Sequence, residues 1–458
     1  MIALLGSALL ITAIVQQDAI PGLRQDWLVR PIRRRDLLLA KIAAVLVMVQ
    51  APIFLAELME ALASGFPLSQ SLSAALGRAI FLFFAFSIPL LAFASLTKNY
   101  MEAIAGAVLV TLGISLLTMV TSPVGGVFDP ITVAWVTFAM RDAILIAGAA
   151  ILLSIQYYWR KTLVSRWLTV GVGLLYWLIP PVPWQTAFAL EQRLSPNPGS
   201  GNPIAINFVP DRSALADRQV GPGNARSFGS VFVLLPIRAT GIPEPSVLLG
   251  DASIARLITQ DGQVHNAGGQ GGFKIWKEQP GEGEAAFTYG IRLAPELYRQ
   301  VADQPVRVEI DYSLTLMGFR ESQTLPANGG DVRSAAMGWC GTTVDADGLQ
   351  ILFGCLRPGN TDWCMSVVLE DKAVGAKNHR GGECRPNYSP FPFNFYGDVL
   401  ARAVFPMPFA DPSIADSTLV TPAMLAQATV TARTYEVRDH FVRQLVIPQI
   451  RLRDWATE

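Results

Sequence analysis

The sequence predicts an α-helical, polytopic membrane bundle followed by an all-β, sandwich-like domain. Apolar segments recur up to residue 185, and beyond residue 300 the pattern changes to strict alternation of apolar and polar residues. The composition agrees with two unlike halves. A chain of 458 residues that is 51% hydrophobic and 16% charged, with a mean hydropathy of +0.36, is too apolar for an ordinary soluble protein and too polar for one wholly in lipid.

Six apolar segments lie before residue 186, and we predict a membrane span for each. A helix needs about 20 apolar residues to cross a bilayer, with roughly 17 as the lower limit. The first segment is short by itself, and the fifth qualifies if Trp159 is included. The segments are residues 2–15, 42–62, 79–96, 103–120, 143–158 and 168–184.

The distribution of basic residues predicts the orientation. Loops rich in Lys and Arg stay in the cytoplasm because moving these charges across a bilayer is costly. Three alternate loops carry ten basic residues, and the two loops between them carry two; the basic loops are residues 16–41, 97–102 and 159–167, and the others are residues 63–78 and 121–142. We therefore expect a protein of the cell (inner or plasma) membrane whose C-terminal domain is extracytoplasmic. The same count leaves Met1 outside without a basic flank, so we expect one more helix upstream.

The sequence predicts three regions. Residues 1–185 form the membrane domain, residues 186–226 a linker, and residues 227–458 the β-rich domain. The linker contains Ser-Pro-Asn-Pro-Gly-Ser-Gly-Asn-Pro at residues 195–203, a composition typical of turns.

The β domain is predicted from residues 306–316, where every second residue is apolar. This alternation is typical of a strand with one buried face and one face in water. Turn signals separate shorter candidates, so we expect an antiparallel sandwich or two small ones. The shorter predicted strands are residues 230–237, 350–353, 365–369, 427–434 and 442–452.

Four cysteines, all on the side predicted to be outside, favour two structural disulfides. Free thiols and a metal site are the alternatives, and the absence of a C-x-x-C pair disfavours zinc. The spacing leaves all three possible pairings open. The cysteines are Cys340, Cys355, Cys364 and Cys384.

Two carboxylates, Glu57 and Glu60, lie within the second predicted span. They are three residues apart and therefore on one face of the helix. Charged residues inside spans often mark a substrate path, so one interpretation is a polar pathway. The other interpretation is that both lie near the outer interface and are solvated.

The sequence contains no motif for catalysis or for a cofactor. The nearest approach to a phosphate-binding loop, residues 268–274, has Phe273 where a glycine should precede the lysine. Nucleophile-elbow and H-E-x-x-H motifs are absent. Asp439 and His440 are neighbours in a predicted strand, so they point to opposite faces and are interpreted as sheet surface. Because these motifs are missing, we do not expect an enzyme. We do not expect a nucleic-acid partner either, since the formal net charge is zero.

The loop at residues 17–41 carries a further pattern. An acidic residue, a glycine and a tryptophan precede an Arg-Pro-Ile step, a basic run and a Leu-Leu-Ala-Lys sequence; these are Asp18, Gly22, Trp27, Arg30 to Ile32, Arg33 to Arg35, and Leu38 to Lys41. The pattern resembles the cytoplasmic loop of ABC transporter permease subunits of the type-2 exporter family. Ala-Ser-Leu-Thr-Lys-Asn at 94–99 and Gln-Tyr-Tyr-Trp-Arg-Lys at 156–161 look like the same family. The resemblance covers about residues 1–165, and the β domain is an addition to it.

The resemblance implies a permease subunit, dimeric with a second copy or a second permease, that pairs with a separate ATPase. In that family the loop follows the second transmembrane helix, which agrees with the helix expected upstream. An amphipathic segment at the lipid headgroups can transmit the push of the ATPase to the helices. The coupling residues would be Trp27, Arg30, Pro31, Arg33, Arg34, Arg35 and Asp36. Topology anchoring alone is the alternative role of the arginines, and a non-transporting envelope sensor or assembly protein is the alternative function.

Overall fold

The structure is a computed structural model. It describes residues 2–17, 34–63, 67–121, 134–159, 161–178, 182–211, 231–269, 272–277, 285–334, 336–344, 350–358, 363–370, 377–385, 400–408 and 428–456.

Helices occupy the described part of the N-terminal half, and some continue directly into π-helical turns. The helices are α1 (Ile2–Gln16), α2 (Arg34–Val45), α3 (Ala51–Ala63), α4 (Leu68–Leu82), α5 (Ile88–Ala94), α6 (Tyr100–Thr121), α7 (Ala134–Ser154), α8 (Thr162–Leu178) and α9 (Trp184–Arg193). The π-helical turns are π1 (Leu46–Gln50), π2 (Phe83–Ser87) and π3 (Ile155–Trp159).

Three stretches among the described residues are long and apolar enough to cross a membrane: Arg35–Ala63, Ser71–Ala94 and Ala139–Trp159. The six predicted spans are not supported. The first predicted segment forms only the 15-residue α1, and the sixth ends at Leu178 rather than Trp184. Both helices are shorter than the roughly 20 residues that a membrane span usually needs.

Each of the three long stretches contains one π-helical turn. Such turns widen an α-helix locally and occur often at functional positions. Gln50 ends π1 and donates a hydrogen bond through Nε2 to Ser87 Oγ, which ends π2, over 2.8 Å. Both side chains are buried. The two turns are therefore joined by a polar contact inside an otherwise apolar core.

The apolar core of the helices gathers side chains from α1, α5, α7 and the stretch around π1. Its fully or nearly fully buried members include Ile11, Val45, Leu91, Leu152 and Tyr157. These positions come from segments far apart in sequence, so the described helices pack as one bundle rather than as separate hairpins.

Besides a 3-10 helix at Leu452–Trp455, fourteen strands and one short α-helix are described in the C-terminal half. They are β1 (Ala205–Phe208), β2 (Val231–Thr240), β3 (Ser246–Ile258), β4 (Val264–Gly269), β5 (Phe273–Lys277), β6 (Ala285–Leu293), α10 (Pro295–Val301), β7 (Pro305–Pro326), β8 (Gly330–Ser334), β9 (Gly338–Val344), β10 (Gln350–Pro358), β11 (Trp363–Glu370), β12 (Lys377–Arg385), β13 (Leu400–Pro408) and β14 (Thr429–Arg451). The prediction of an antiparallel β region is confirmed.

The strands form two antiparallel sheets. A ten-stranded sheet has the order β1-β2-β6-β4-β3-β7-β14-β11-β12, with β5 also paired to β3. A four-stranded sheet has the order β13-β10-β9-β8. The central pair, β7 and β14, has 22 and 23 residues, which corresponds to a ribbon of roughly 70 Å at about 3.3 Å per residue.

The long ribbon contributes to three apolar cores, the smallest of which surrounds the Cys364–Cys384 disulfide. Ile310 lies opposite Leu445, and both belong to the larger core, which also includes Leu235 of β2 and Ile291 of β6. Further along the same two strands, Leu325 and Val430 belong to a second core with Phe353 of the four-stranded sheet.

The second face of β7 is polar, as predicted. It is buried, however, whereas the sequence predicted that it would be exposed to water. Asp311, Ser313 and Thr315 are only 5, 3 and 4% exposed. Helix α9 and Arg256 of β3 contact this face. Alternation therefore gave the strand correctly but not the solvation of its polar side, because α9 belongs to a segment distant in sequence.

The segment predicted as a linker, residues 186–226, contains regular structure where it is described. Most of α9 and all of β1 lie within it, and β1 pairs with β2 from Ala205 opposite Thr240 onward. Between them, residues 195–203 form turns, as their composition indicates.

Candidate functional site

Several helix ends meet on the side of the bundle where the Arg-rich loop begins and ends. Their polar side chains contact one another or the backbone of neighbouring segments. We call this group the helix-end cluster; it consists of Gln16, Lys41, Thr97, Glu102, Gln156 and Arg166.

Lys41 of α2 binds the C-terminal end of α1. Its Nζ donates hydrogen bonds to the carbonyl oxygens of Val15 at 2.6 Å and Ile14 at 3.2 Å. The last carbonyls of a helix have no partner within the helix and carry partial negative charge, so an ammonium group is stabilising there. Lys41 is only 4% exposed. This lysine, the last residue of the family-like motif, therefore joins α2 to α1.

The turn between α5 and α6 is the second part of the cluster. Gln16 Nε2 donates to Thr97 Oγ1 over 3.0 Å. Asn99 Oδ1 accepts from the backbone N–H of Glu102 at 2.9 Å, while Glu102 Oε2 accepts from the N–H of Lys98 at 2.7 Å. This reciprocal capping holds the first turn of α6 and orients the Glu102 carboxylate.

The ends of α7 and α8 complete the cluster. Gln156, fully buried in π3, donates through Nε2 to the carbonyl oxygen of Ser95 at 3.2 Å. Arg166 of α8 donates through Nη2 to the carbonyl oxygen of Leu96 at 3.2 Å and forms an ion pair with Glu102 at 2.7 Å. The described parts of the three sequence motifs of the resemblance thus meet at one end of the bundle.

Three of the seven predicted coupling residues are described, and all three lie on α2, the helix that carries Lys41. Arg35 and Asp36 are in its first turn, with side chains 64 and 52% exposed and 3.4 Å apart. Arg34 is the first residue of α2. Four further predicted coupling residues lie outside the described residues: Trp27, Arg30, Pro31 and Arg33.

The two carboxylates of the predicted polar pathway have different surroundings. Glu57 of α3 forms an ion pair with Arg78 of α4 at 2.9 Å, and both side chains are 14% exposed. Glu60 is exposed. Glu57 therefore joins two neighbouring helices, and its role in a pathway stays a prediction.

The four cysteines form two disulfides, as predicted, and the structure gives the pairing. Cys340 of β9 is bonded to Cys355 of β10, and Cys364 of β11 to Cys384 of β12. In each case the two residues are directly opposite each other in an antiparallel strand pair. Each disulfide thus joins neighbouring strands and stabilises a hairpin.

The interpretation of Asp439 as sheet surface is wrong, because the residue is 2% exposed. Its carboxylate accepts hydrogen bonds from the Ser195 hydroxyl at 2.6 Å and from the backbone N–H groups of Gly199 and Gly201 at 3.0 and 2.8 Å. The turn-rich composition of residues 195–201 could have indicated a buried acceptor, because such segments leave N–H groups that need one.

The neighbouring His440 does not join Asp439 and Ser195 in a catalytic arrangement. Its Nδ1 lies 2.8 Å from Thr315 Oγ1, and only its backbone N–H reaches the Ser195 hydroxyl, at 3.0 Å. Burial lowers the pKa of His440, while the negative charge of Asp439 opposes this shift. Burial therefore favours the neutral form of the ring. Among the described residues, no group of three or more His, Cys, Asp or Glu side chains is arranged to hold a metal ion.

Comparisons with known proteins add no family. No family model matches the chain, and no curated protein matches it. A chain of a cryo-EM structure of broad bean stain virus aligns with 46% of this chain and 92% of its own at 10% identity, with a TM-score of 0.09. The C-terminal globular domain of an oligosaccharyltransferase from Pyrococcus abyssi aligns with 54% of this chain and 47% of its own at 12% identity, with a TM-score of 0.10. Neither likeness is close enough to carry an argument about fold or function.

Proposed function

We propose that this chain is the membrane-spanning permease subunit of an ABC-type transporter that couples to a separate ATPase through the Arg-rich loop, residues 17–41. The observation that carries the proposal is the helix-end cluster. It joins the described end of the Arg-rich loop, through α1, to the other two segments on which the family resemblance rests, residues 94–99 and 156–161.

The position of the cluster supports the proposed orientation. The three loops with most of the basic residues, at 16–41, 97–102 and 159–167, all border it. At the opposite end of α7, Val136 packs against α9, which lies on the β domain. Basic loops at one end and a disulfide-containing domain at the other agree with a cytoplasmic and an oxidising compartment.

The geometry of α2 offers a route for the push of an ATPase. Arg35 and Asp36 are exposed, whereas Lys41 is buried and bound to α1. Lys41 is six positions after Arg35 in the α-helix, a rise of about 9 Å. Because a helix is stiff over this length, displacement of its exposed first turn would displace the end of α1.

Co-purification and coupled hydrolysis test the proposal. The solubilised chain should bring down an ATP-binding subunit, and charge reversal of Arg33, Arg34 and Arg35 to Glu should lower stimulated ATP hydrolysis by about tenfold or more. The same arginines also hold the loop in the cytoplasm, so side-specific labelling of a Lys98→Cys variant must show unchanged orientation.

A matched control reverses three exposed arginines of the β domain, Arg299, Arg451 and Arg453, to Glu. It makes the same change in net charge. The ion pairs of Arg299 with Glu296 and of Arg453 with Asp303 are exposed and contribute little stability. Equal coupling in the two triple variants, or recovery of the chain without any ATPase, would reject the proposal.

The β domain gives a specific reason for a second candidate, a non-transporting envelope sensor or assembly protein. Its described part has three apolar cores and two disulfides, and α9 attaches it to the helices. A domain of this size is more than a transport path requires, so binding of an envelope partner is the alternative use. Retention of a partner by the β domain in a chain that binds no ATPase would favour it.

A further inference from the structure

One helix connects the helix-end cluster with the β domain. Helix α7 continues without a break into π3, so residues 134–159 form a single rod. At about 1.5 Å per residue this rod is roughly 39 Å long, enough to reach from one side of a bilayer to the other.

The inner end of the rod is held by polar contacts. Gln156 is fully buried, and its Nε2 lies 3.2 Å from the Ser95 carbonyl oxygen and 3.4 Å from Thr162 Oγ1. The next residue, Tyr157, is 2% exposed and belongs to the apolar core of the helices. Movement of the turn at Ser95 is therefore transmitted directly to π3.

The outer end of the rod packs on α9. Val136 forms a buried apolar group with Ala187 and Phe188, which are fully or almost fully buried, and Trp184 and Val442 of β14 pack against it. A helix of the membrane half is thus connected to a strand of the β domain through α9.

Helix α9 is in turn fastened to the sheet by polar contacts. Glu191 accepts a hydrogen bond from the Ser313 hydroxyl of β7 at 2.8 Å. The guanidinium group of Arg256, which forms an ion pair with Asp311 at 2.7 Å, lies 5.9 Å from the ring centre of Trp184. These contacts involve both ends of α9, so the helix cannot rotate without breaking buried interactions on the polar face of β7.

The turns after α9 add a second attachment. Besides the three bonds to Asp439, Arg443 donates to the carbonyl oxygens of Gly201 at 2.7 Å and Ile204 at 2.8 Å. A Cβ atom on Gly201 would collide with the ring of Phe441. Residues 184–204 and β14 therefore move as one body.

The rod is also braced sideways. Arg141 of α7 lies over the ring of Tyr176 on α8, 5.7 Å from its centre. A Cβ atom on Gly148 would lie only 2.6 Å from Val172, so the two helices are in close contact. Bending of α7 is resisted along its length, and displacement at one end reaches the other.

We propose that α7 and α9 mechanically link the helix-end cluster to the β domain, so that the state of one changes the state of the other. The proposal extends the proposed function, since the cluster is where an ATPase would act. Linkage is reciprocal: binding at the β domain would change the cluster by the same free energy as a change at the cluster alters binding. The β domain is then a regulatory input or output of the membrane helices.

Hydrogen exchange of the full chain in lipid nanodiscs, without any ATPase, tests the link. Gln156→Leu should speed exchange of residues 184–204 by about fivefold or more, although they lie at the far end of the rod. Ser154→Ala is the matched control, because Ser154 is exposed and bonds only to the carbonyl of Ala150 in its own helix. It should leave residues 184–204 unchanged.

The reverse direction uses α9. Phe188→Ala should speed exchange of residues 94–99, whereas Leu190→Ala, at a 38% exposed position on the same helix, should not. Exchange that changes only near the substituted residue in both directions overturns the link.

Exchange in β2 distinguishes a local effect from global unfolding. It must stay slow, because faster exchange there would indicate that the whole domain unfolds. If it rises, the milder pair Thr162→Val and Val136→Ala repeats the test, and changes confined to their own ends overturn the link. If exchange at the distant end does not change but ATP-dependent coupling is intact, only the mechanical link is rejected. If exchange at the distant end changes but the chain binds no ATPase, only the proposed function is rejected.

Discussion

Replacing Asp439 with alanine removes the acceptor that holds the turns between α9 and the sheet. The substitution leaves the N–H groups of Gly199 and Gly201 and the hydroxyl of Ser195 without their buried acceptor. A buried group left unsatisfied costs about 1–3 kcal/mol, and water can reach part of this segment. We therefore expect a loss of about 3 kcal/mol in the free energy of unfolding, which is roughly 6–12 °C in Tm for a domain of this size.

The asparagine variant is the informative comparison. Its amide oxygen can still accept from both glycine N–H groups while its NH₂ group faces Ser195, so most of the geometry survives. We expect Asp439→Asn to cost about 1 kcal/mol, clearly less than Asp439→Ala. Asp331→Ala is a control, because Asp331 is exposed and accepts a single bond from Trp339 Nε1.

Hydrogen exchange of residues 195–204, measured with thermal unfolding of the full chain, provides the assay. A loss of about 3 kcal/mol in local opening free energy corresponds to exchange faster by more than about a hundredfold. If Asp439→Ala and Asp331→Ala exchange alike in this segment, the assignment of Asp439 as its anchor is refuted.

Three further predictions concern buried ionisable groups. Lys41→Met should cost about 2–3 kcal/mol and speed exchange of the last turn of α1, because two helix carbonyls lose their donor; the exposed Lys98→Met should not. Burial lowers the pKa of His440 below 6.5, so the unfolded chain takes up the proton first as the pH falls. Stability should therefore fall as the pH drops below about 6.5, and His440→Gln should reduce this decline in acid unfolding curves. Burial raises the pKa of Tyr289 to about 12 and also raises that of Tyr312, so stability should be intact below pH 10 and fall between pH 10 and 12, less steeply in Tyr289→Phe.

Local patterns account for the features that the sequence predicts well. Strict alternation at 306–316 identified the core of β7, and four cysteines in a predicted extracytoplasmic domain gave two disulfides. Both signals depend on chemistry within a single strand or hairpin. Which residues lie opposite each other across a sheet, such as Cys340 and Cys355, was not predictable, because strand register depends on the whole sheet.

Tertiary contacts explain what the sequence did not reveal. The polar face of β7 is buried because α9 covers it, and Asp439 is buried because the turns at 195–201 bring their N–H groups to it. The sixth predicted span extended too far because prolines follow Leu178 and cannot continue the hydrogen-bonding of a helix. The helix-end cluster was foreseen only as three separate motifs, since hydropathy gives no information on how helices pack.

The claim that the Arg-rich loop and the β domain lie on opposite sides of the membrane is tested most directly by side-specific labelling. All four native cysteines are in disulfides, so an introduced cysteine is the sole free thiol. In sealed right-side-out vesicles, an impermeant maleimide should label Arg299→Cys, at a 73% exposed position of the β domain, without permeabilisation. Arg35→Cys, at a 64% exposed position of α2, should react only after the vesicles are opened. Labelling of both variants from the same side would contradict the proposed arrangement.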